Sequence, residues 1–207
     1  MLVVVGLRKP RYRLVDGSRD WCYTIFMNNT NLLVTHARIF ATAAHAAVGQ
    51  RRKYTNEHYI VHPAEVAGIV QSVEHTSEML AAAWLHDVLE DTAVTYDVLY
   101  SEFGPNVANL VYWLTDVSKS ADGNRARRKA LDREHLSRAP AAAQTVKVAD
   151  LISNTSTIVK YDPKFARVYL EEKTALLEVL TLADPILLKR ARELVVPPDK
   201  ELLYVPV

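Results

Sequence analysis

The chain has 207 residues, 49% of them hydrophobic, which is enough for one well-buried core and too few for two full catalytic domains. A formal net charge of +1 with 24% charged residues excludes the broad basic field that polynucleotide or anionic-membrane binding needs, so an anionic ligand must be met by local charges. The single cysteine, Cys22, excludes an intramolecular disulfide and a thiolate metal cluster; no run approaches the roughly 18 apolar residues of a membrane span, and the N-terminus carries its charges on the wrong side of too short an apolar stretch for a signal peptide, so the expected location is the cytoplasm.

In chain order, residues 1–26 come first: MLVVV, a basic stretch punctuated by Gly and Pro, the Asp16-Gly17 turn signal and WCYTIF read as an extended N-terminal arm, either two short strands or an ordered segment. Met27, ahead of NNTNLL, offers a second start, in which case the preceding residues are a product of start-codon choice. From Asn31 the period is helical, with Ala-rich 3.6-residue spacing in VTHARIFATAAHAAVG, closed by Gly49, and again in SEMLAAAWLHDVLED. Further helix starts are marked by proline at His62-Pro63, Gly104-Pro105, Asp162-Pro163 and Asp184-Pro185, the last two with Asp as N-cap. The pattern gives roughly eight or nine helices, no period-two strand after residue 31 and no repeat. The predicted fold class is therefore all-α: a single helical bundle over residues 27–196, between the arm and a Pro-broken tail at 197–207.

The chemistry concentrates in AAAWLHDVLEDT, where the polar pair His86-Asp87 ends a run that should otherwise be continuous core. An ionised Asp buried without a partner is costly, and a divalent cation coordinated by both side chains removes that cost. Helical spacing puts Glu90 one turn beyond His86 and Asp91 one turn beyond Asp87, so four polar groups are expected to converge. Two more candidates stand at polar breaks in apolar helices, His45 in FATAAHAAVG and Asp150 in TVKVADLISN, making a set of His45, His86, Asp87 and Asp150. Two imidazoles and two carboxylates suit manganese, iron, zinc or magnesium and leave positions open for water. Water activated by such an ion can attack phosphorus near neutral pH while a carboxylate outside the ligand set takes its proton, and Glu90 and Asp91 are placed for that. Each element also has a structural reading: His45 as a hydrogen-bonded core residue, Asp150 as a cap or a partner of Lys147, the His-Asp dipeptide as chance. Their combination favours the metal.

The segments AAHAAVGQRRK, YIVHPAEVAGIV, AAAWLHDVLEDT, FGPNVANLVYWLTD and VKVADLISN follow one another in the order and spacing of the RelA/SpoT-type HD-domain alarmone hydrolases. The resemblance covers residues 31–160 and is strongest to the stand-alone small alarmone hydrolases, since the chain leaves no room for the synthetase and regulatory domains of the long enzymes. It implies one manganese ion held by His45, His86, Asp87 and Asp150, a catalytic pair in Glu90 and Asp91, and nucleotide contacts at Arg51, Arg52, Lys53 and Asn154. Tyr59 and His62 match the family's YI-HP segment, with His62 read equally as a structural residue or a substrate contact. The chain departs from the family after the basic trio: a small or acidic residue and Gly-x-Pro are replaced by YTNEHYIVHP, which puts Tyr54, Asn56 and His58 in a loop bordering the nucleotide and leaves the purine preference open. His36 and Arg38, in the helix before His45, match no tight motif. The run Arg125, Arg127, Arg128 and Lys129 resembles the family's basic stretch, although by itself it reads as a solvated helix face before a phosphate clamp.

The expected reaction is hydrolysis of the 3′-pyrophosphate of guanosine 3′,5′-bis(diphosphate), or of its pentaphosphate or adenosine counterpart, to the 5′-nucleotide and pyrophosphate. The expected partner is that small nucleotide, with no polynucleotide and no membrane, and a homo-oligomer is compatible with the composition. Two rivals stand beside it. One is another HD phosphohydrolase, a deoxynucleotide triphosphohydrolase or 5′-nucleotidase, on the same metal centre. The other is a catalytically silent nucleotide-sensing module, whose sign would be a missing ligand or a missing member of the Glu-Asp pair; all six residues are present.

Overall fold

Runs of alanine decide how closely these helices pack. The structure, a computed structural model, describes the backbone of residues 20–195 and the side chains of residues 32–195. The described helices are α1 (Asp20–Ala47), α2 (Val61–Gln71), α3 (Ser77–Leu85), α4 (Val88–Asp91), α5 (Tyr96–Leu114), α6 (Arg125–Ser137), α7 (Ala141–Tyr161), α8 (Pro163–Leu177) and α9 (Pro185–Val195), with a 3₁₀ turn at Ser120–Asp122. Among the described residues there is no strand, only an isolated antiparallel bridge between Arg51 and His58. None of these helices is long and apolar enough to cross a membrane.

In α3 the residues Ala81, Ala82, Ala83 and Leu85 are all fully buried, and Ala37 and Ala41 of α1 are buried beside them. Side chains this small let α1, α2 and α5 approach α3 closely. Helix α7 is buried on nearly every face from Ala143 to Ile152, as expected of an enclosed helix, and α2, α5, α8 and α9 pack around it. The two most enclosed helices, α3 and α7, thus bring His86 and Asp150 to the middle of the bundle. Leu85 has no exposed surface and immediately precedes His86. Leu85→Ala should lower unfolding stability by about 2–5 kcal/mol, through lost burial plus the cavity left behind, measured by urea denaturation.

Three of the four proline-marked starts hold, whereas α2 begins at Val61 and has Pro63 as its third residue. Asp162 accepts from Phe165 N at the head of α8, and Asp184 Oδ1 accepts from Ile186 N and Leu187 N at the head of α9. Helix α5 breaks at Gly104, whose φ of 77° is costly for any side-chain-bearing residue, and restarts at Pro105. After α1, Gly49 takes φ 66° and the backbone closes with Gln50 N donating to His45 O, a helix end that points the chain into the 51–59 loop. One expectation is corrected: Trp21–Phe26 are not strand but part of α1, because no Gly or Pro interrupts the chain between Asp20 and Ala47 and the helix extends back through the aromatic residues. Residues 1–19 of the expected arm and the tail at 197–207 lie outside the described residues.

Candidate active site

The His86-Asp87 pair occupies a break in the helical run. Helix α3 ends at Leu85 and α4 begins at Val88, although both intervening residues keep right-handed helical dihedrals and Asp91 N still donates to Asp87 O. His86 Nδ1 lies 2.8 Å from Ala83 O, so it carries a proton and turns Nε2 towards the cluster. His62, fully buried on α2, is fixed in the same way: its Nδ1 is 3.0 Å from Ser153 Oγ, whose hydroxyl is committed to Glu65 Oε2 at 2.7 Å, so Nδ1 must be the donor.

The two remaining nitrogens then face each other, His62 Nε2 to His86 Nε2, across 3.2 Å. Asp87 Oδ2 lies 3.0 Å from His86 Nε2 and 3.6 Å from His62 Nε2, while Asp150 Oδ1 lies 3.2 and 3.8 Å from the His62 and His86 nitrogens. Two imidazole nitrogens at this separation repel unless a proton or a cation stands between them. His62, His86 and Asp87 offer ligand atoms within 4.8 Å of one another, and with Asp150 Oδ1 bordering the two nitrogens the group fits a divalent cation.

The surrounding groups hold the ligand atoms in place. Tyr59 Oη donates to Asp87 Oδ2 at 2.6 Å, and burial together with the Asp87 charge keeps the phenol protonated far above its ordinary value. Lys147 Nζ pairs with Asp150 Oδ2 at 3.0 Å and Asn154 Nδ2 donates to Asp150 Oδ1 at 2.7 Å. Burial opposes ionisation of both aspartates, yet His86 beside Asp87 and Lys147 beside Asp150 hold their carboxyls well below the usual range. Burial likewise pushes the His86 imidazole down, but Asp87 and Asp150 outweigh it and carry it up to about 9, so with no cation among them the carboxylates hold a proton on its Nε2, in the place a cation would take.

Of the expected ligand set, His86, Asp87 and Asp150 come together, whereas His45 does not join them. Its Nδ1 is engaged by Gln50 Oε1 at 2.6 Å, and its ring packs against Tyr59 with centroids 4.7 Å apart, behind the Tyr59–Asp87 hydrogen bond. In the cluster the second imidazole is that of His62. The sequence carried a signal for it: His62, Val66 and Val70 recur at four-residue spacing, and all three are buried.

Glu90 and Asp91 flank the cluster and do not converge on it as one group. Glu90 Oε1 accepts from Asp116 N at 2.7 Å, and Asp91 Oδ2 accepts from Gln50 Nε2 at 2.8 Å. Glu90 keeps access to solvent, yet the crowded cleft around its carboxyl disfavours the charged form; desolvation, against the pull of Lys147 and with the charges of Asp116 and Asp87, pushes it up to about 7. A carboxyl titrating near neutrality is suited to proton transfer.

The basic trio is divided in its roles. Arg52 reaches Asn154 Oδ1 with both terminal nitrogens at 3.3 Å, Arg51 donates to Asn56 O, and Lys53 lies near Asp162 and the Tyr54 hydroxyl. Only Arg52 is tied by direct contacts to the Asp150 side of the cluster. In the second basic run, Lys129 turns inward to Asp116 at 2.6 Å and Arg125 forms a two-point pair with Glu172, so these two are not simply solvated.

A family model described as the HD domain matches residues 37–176, more than half of the chain. The chain belongs to the HD domain family. Among curated proteins, this HD domain is 33% identical over 138 residues to a Synechocystis protein named probable guanosine-3′,5′-bis(diphosphate) 3′-pyrophosphohydrolase, covering 65% of this chain and 18% of that one. It is 38% identical over 86 residues to the Aquifex aeolicus guanosine-3′,5′-bis(diphosphate) 3′-pyrophosphohydrolase, covering 42% of this chain and 12% of that one. The chain thus spans less than a quarter of the length of either relative. A metazoan SpoT ortholog, described as hydrolysing ppGpp and playing a role in starvation responses, superposes with a TM-score of 0.69 at 25% identity over 78% of this chain and 93% of its own. A Listeria monocytogenes EGD-e protein shares the fold, with a TM-score of 0.56 at 23% identity over 68% of this chain and 97% of its own. The resemblance to RelA/SpoT-type hydrolases drawn from the motifs therefore holds.

Proposed function

We propose that this HD domain is a cytoplasmic phosphohydrolase that removes the 3′-pyrophosphate from guanosine 3′,5′-bis(diphosphate) or a related purine nucleotide, with one divalent cation, manganese by preference, held by His62, His86, Asp87 and Asp150. The observation that carries the reading is the pair of imidazole Nε2 atoms 3.2 Å apart between the Asp87 and Asp150 carboxylates. When bound, the cation would polarise the phosphoryl oxygens and make water more acidic. The ligand set departs from the sequence expectation in one position, with His62 in place of His45.

The protein's own groups do the rest. Glu90 accepts the proton of the attacking water at its carboxyl, with Oε1 oriented by the Asp116 amide. Asp91, held by Gln50, orients the water from another side. As water adds to phosphorus the bond to the 3′ oxygen breaks, and the proton held on Glu90 is available to that leaving oxygen. Arg52, Lys53 and Arg51 supply the local positive charge that a chain of net charge +1 lacks at long range.

The deciding experiment is pyrophosphate release from a panel of purine nucleotides, with and without added manganese. Metal-dependent release from the 3′-diphosphates is the expected outcome. Tripolyphosphate release from deoxynucleoside triphosphates would favour the other HD phosphohydrolase chemistry, and binding without turnover would favour a sensor.

Replacing Arg52 and Lys53 together with Gln should raise KM steeply, leave the metal bound and make residual binding less sensitive to salt, because screened ionic contacts are what is lost. Asn154→Ala should behave differently. Since Asn154 donates to Asp150 and accepts from Arg52, its loss should weaken metal affinity about 10- to 100-fold as well as substrate binding, with little change in salt dependence; titration with manganese at two ionic strengths separates the two variants.

A further inference from the structure

Gln50 joins two residues that come from distant parts of the chain. Its Oε1 lies 2.6 Å from His45 Nδ1, at the end of α1, and its Nε2 lies 2.8 Å from Asp91 Oδ2, at the end of α4. The Gln50 amide turns its NH₂ towards the accepting Asp91 Oδ2, which sets Oε1 opposite His45. His45 Nδ1 must then donate, and Nε2 becomes a bare acceptor.

That Nε2 atom is buried, in a residue only 1% exposed, and among the described residues it has no hydrogen-bond partner. An enclosed acceptor without a donor is costly, so a fold that keeps one has a use for it. Burial holds the imidazole below its ordinary value, against the raising influence of Gln50, Asp87 and Asp91, so it stays neutral and keeps that lone pair.

We infer that Gln50 is a positioning residue of this site, which fixes His45 in the Nδ1–H tautomer and Asp91 in its working orientation through a single amide. The kinetic half of the inference rests on the hydrolase reading above. The tautomer half does not, since it is read on the protein without substrate.

The test compares the parent with Gln50→Ala and Gln50→Glu, in the full chain loaded with a diamagnetic divalent ion for nitrogen-15 NMR of the histidine rings and with manganese for kinetics. The parent should show His45 as a single Nδ1–H tautomer. Gln50→Ala should mix the two tautomers and lower kcat about 10- to 100-fold, with KM and manganese affinity within about two-fold of the parent. Gln50→Glu, read at about pH 8, well above the ordinary carboxyl range, still accepts from His45 but cannot donate to Asp91. It should keep the single tautomer and still lose kcat, which separates the two arms of the amide and does not depend on the alanine variant folding well. An unchanged His45 tautomer in Gln50→Ala, or parental kcat in Gln50→Glu, overturns the corresponding half. Loss of manganese together with kcat in both variants would make Gln50 a support of the metal cluster and overturn the inference as stated. A parent that releases no pyrophosphate from the 3′-diphosphates would instead count against the hydrolase reading, leaving the tautomer result to stand or fall on its own.

Discussion

His62→Ala should abolish metal binding and turnover together, whereas His45→Ala should keep the metal at about 10- to 100-fold lower affinity or activity, the range for residues that support ligands without coordinating the ion. The difference follows from geometry. His62 Nε2 lies within 3.6 Å of His86 Nε2, Asp87 Oδ2 and Asp150 Oδ1, and removing it leaves two carboxylates and one imidazole that no neighbouring donor completes. His45 is hydrogen-bonded to Gln50 and reaches the cluster only by packing on Tyr59. Metal content of the purified variants, measured by elemental analysis, decides the matter: full occupancy in His62→Ala with an empty His45→Ala would return the ligand role to His45. His86→Ala and Asp150→Ala serve as controls and should both be empty.

The second large effect is on chemistry without loss of metal. Glu90→Gln should retain the ion and lose kcat about 10²- to 10⁴-fold, the usual contribution of a positioned general base. The amide can still accept from Asp116 N, so the local hydrogen bond survives while the proton-accepting function is lost. Asp91→Asn should also keep the metal, but with a smaller loss, since its expected task is orientation. Single-turnover rates alongside metal content make the comparison. Normal turnover in the Glu90→Gln, Asp91→Asn double variant would move the proton-transfer role to another group.

Much of this was legible from local signals. Helix starts at Pro163 and Pro185 with Asp caps, the restart at Pro105 and the buried His86-Asp87 pair all depend on residues within one or two turns of one another. Other features depend on which helices meet. His45 lies on a buried stripe with Ala37 and Ala41, and His62 lies on one with Val66 and Val70; a helical period identifies both stripes equally. Only the packing of α2 against α3 and α7 tells which imidazole meets His86 and Asp150. Glu90 and Asp91 were expected to join one group because helical spacing aligns them with His86 and Asp87, but their side chains find separate partners at Asp116 and Gln50. Trp21–Phe26, rich in residues that favour strands, were absorbed into α1, where no breaking residue stood in the way.

The loop that departs from the family is closed on itself: Arg51 bridges to His58, Arg52 N donates to Glu57 O, Asn56 N donates to Arg52 O and Asn56 takes φ 56° at the tip. Arg52 in its stem reaches Asn154, while the rest of the loop is anchored through Tyr54, which donates to Asp162 and stacks on Tyr161, at the C-terminal end of α7. Such a loop can be exchanged as a cassette. Its stem sets where it sits, its tip is free to vary, and the groups that hold the cation belong to α2, α3, α7 and the break before α4. The tip proposed to border the nucleotide and the groups proposed to hold the cation therefore stand on separate supports, and selection could rewrite five consecutive residues, 53–57, without touching the latter.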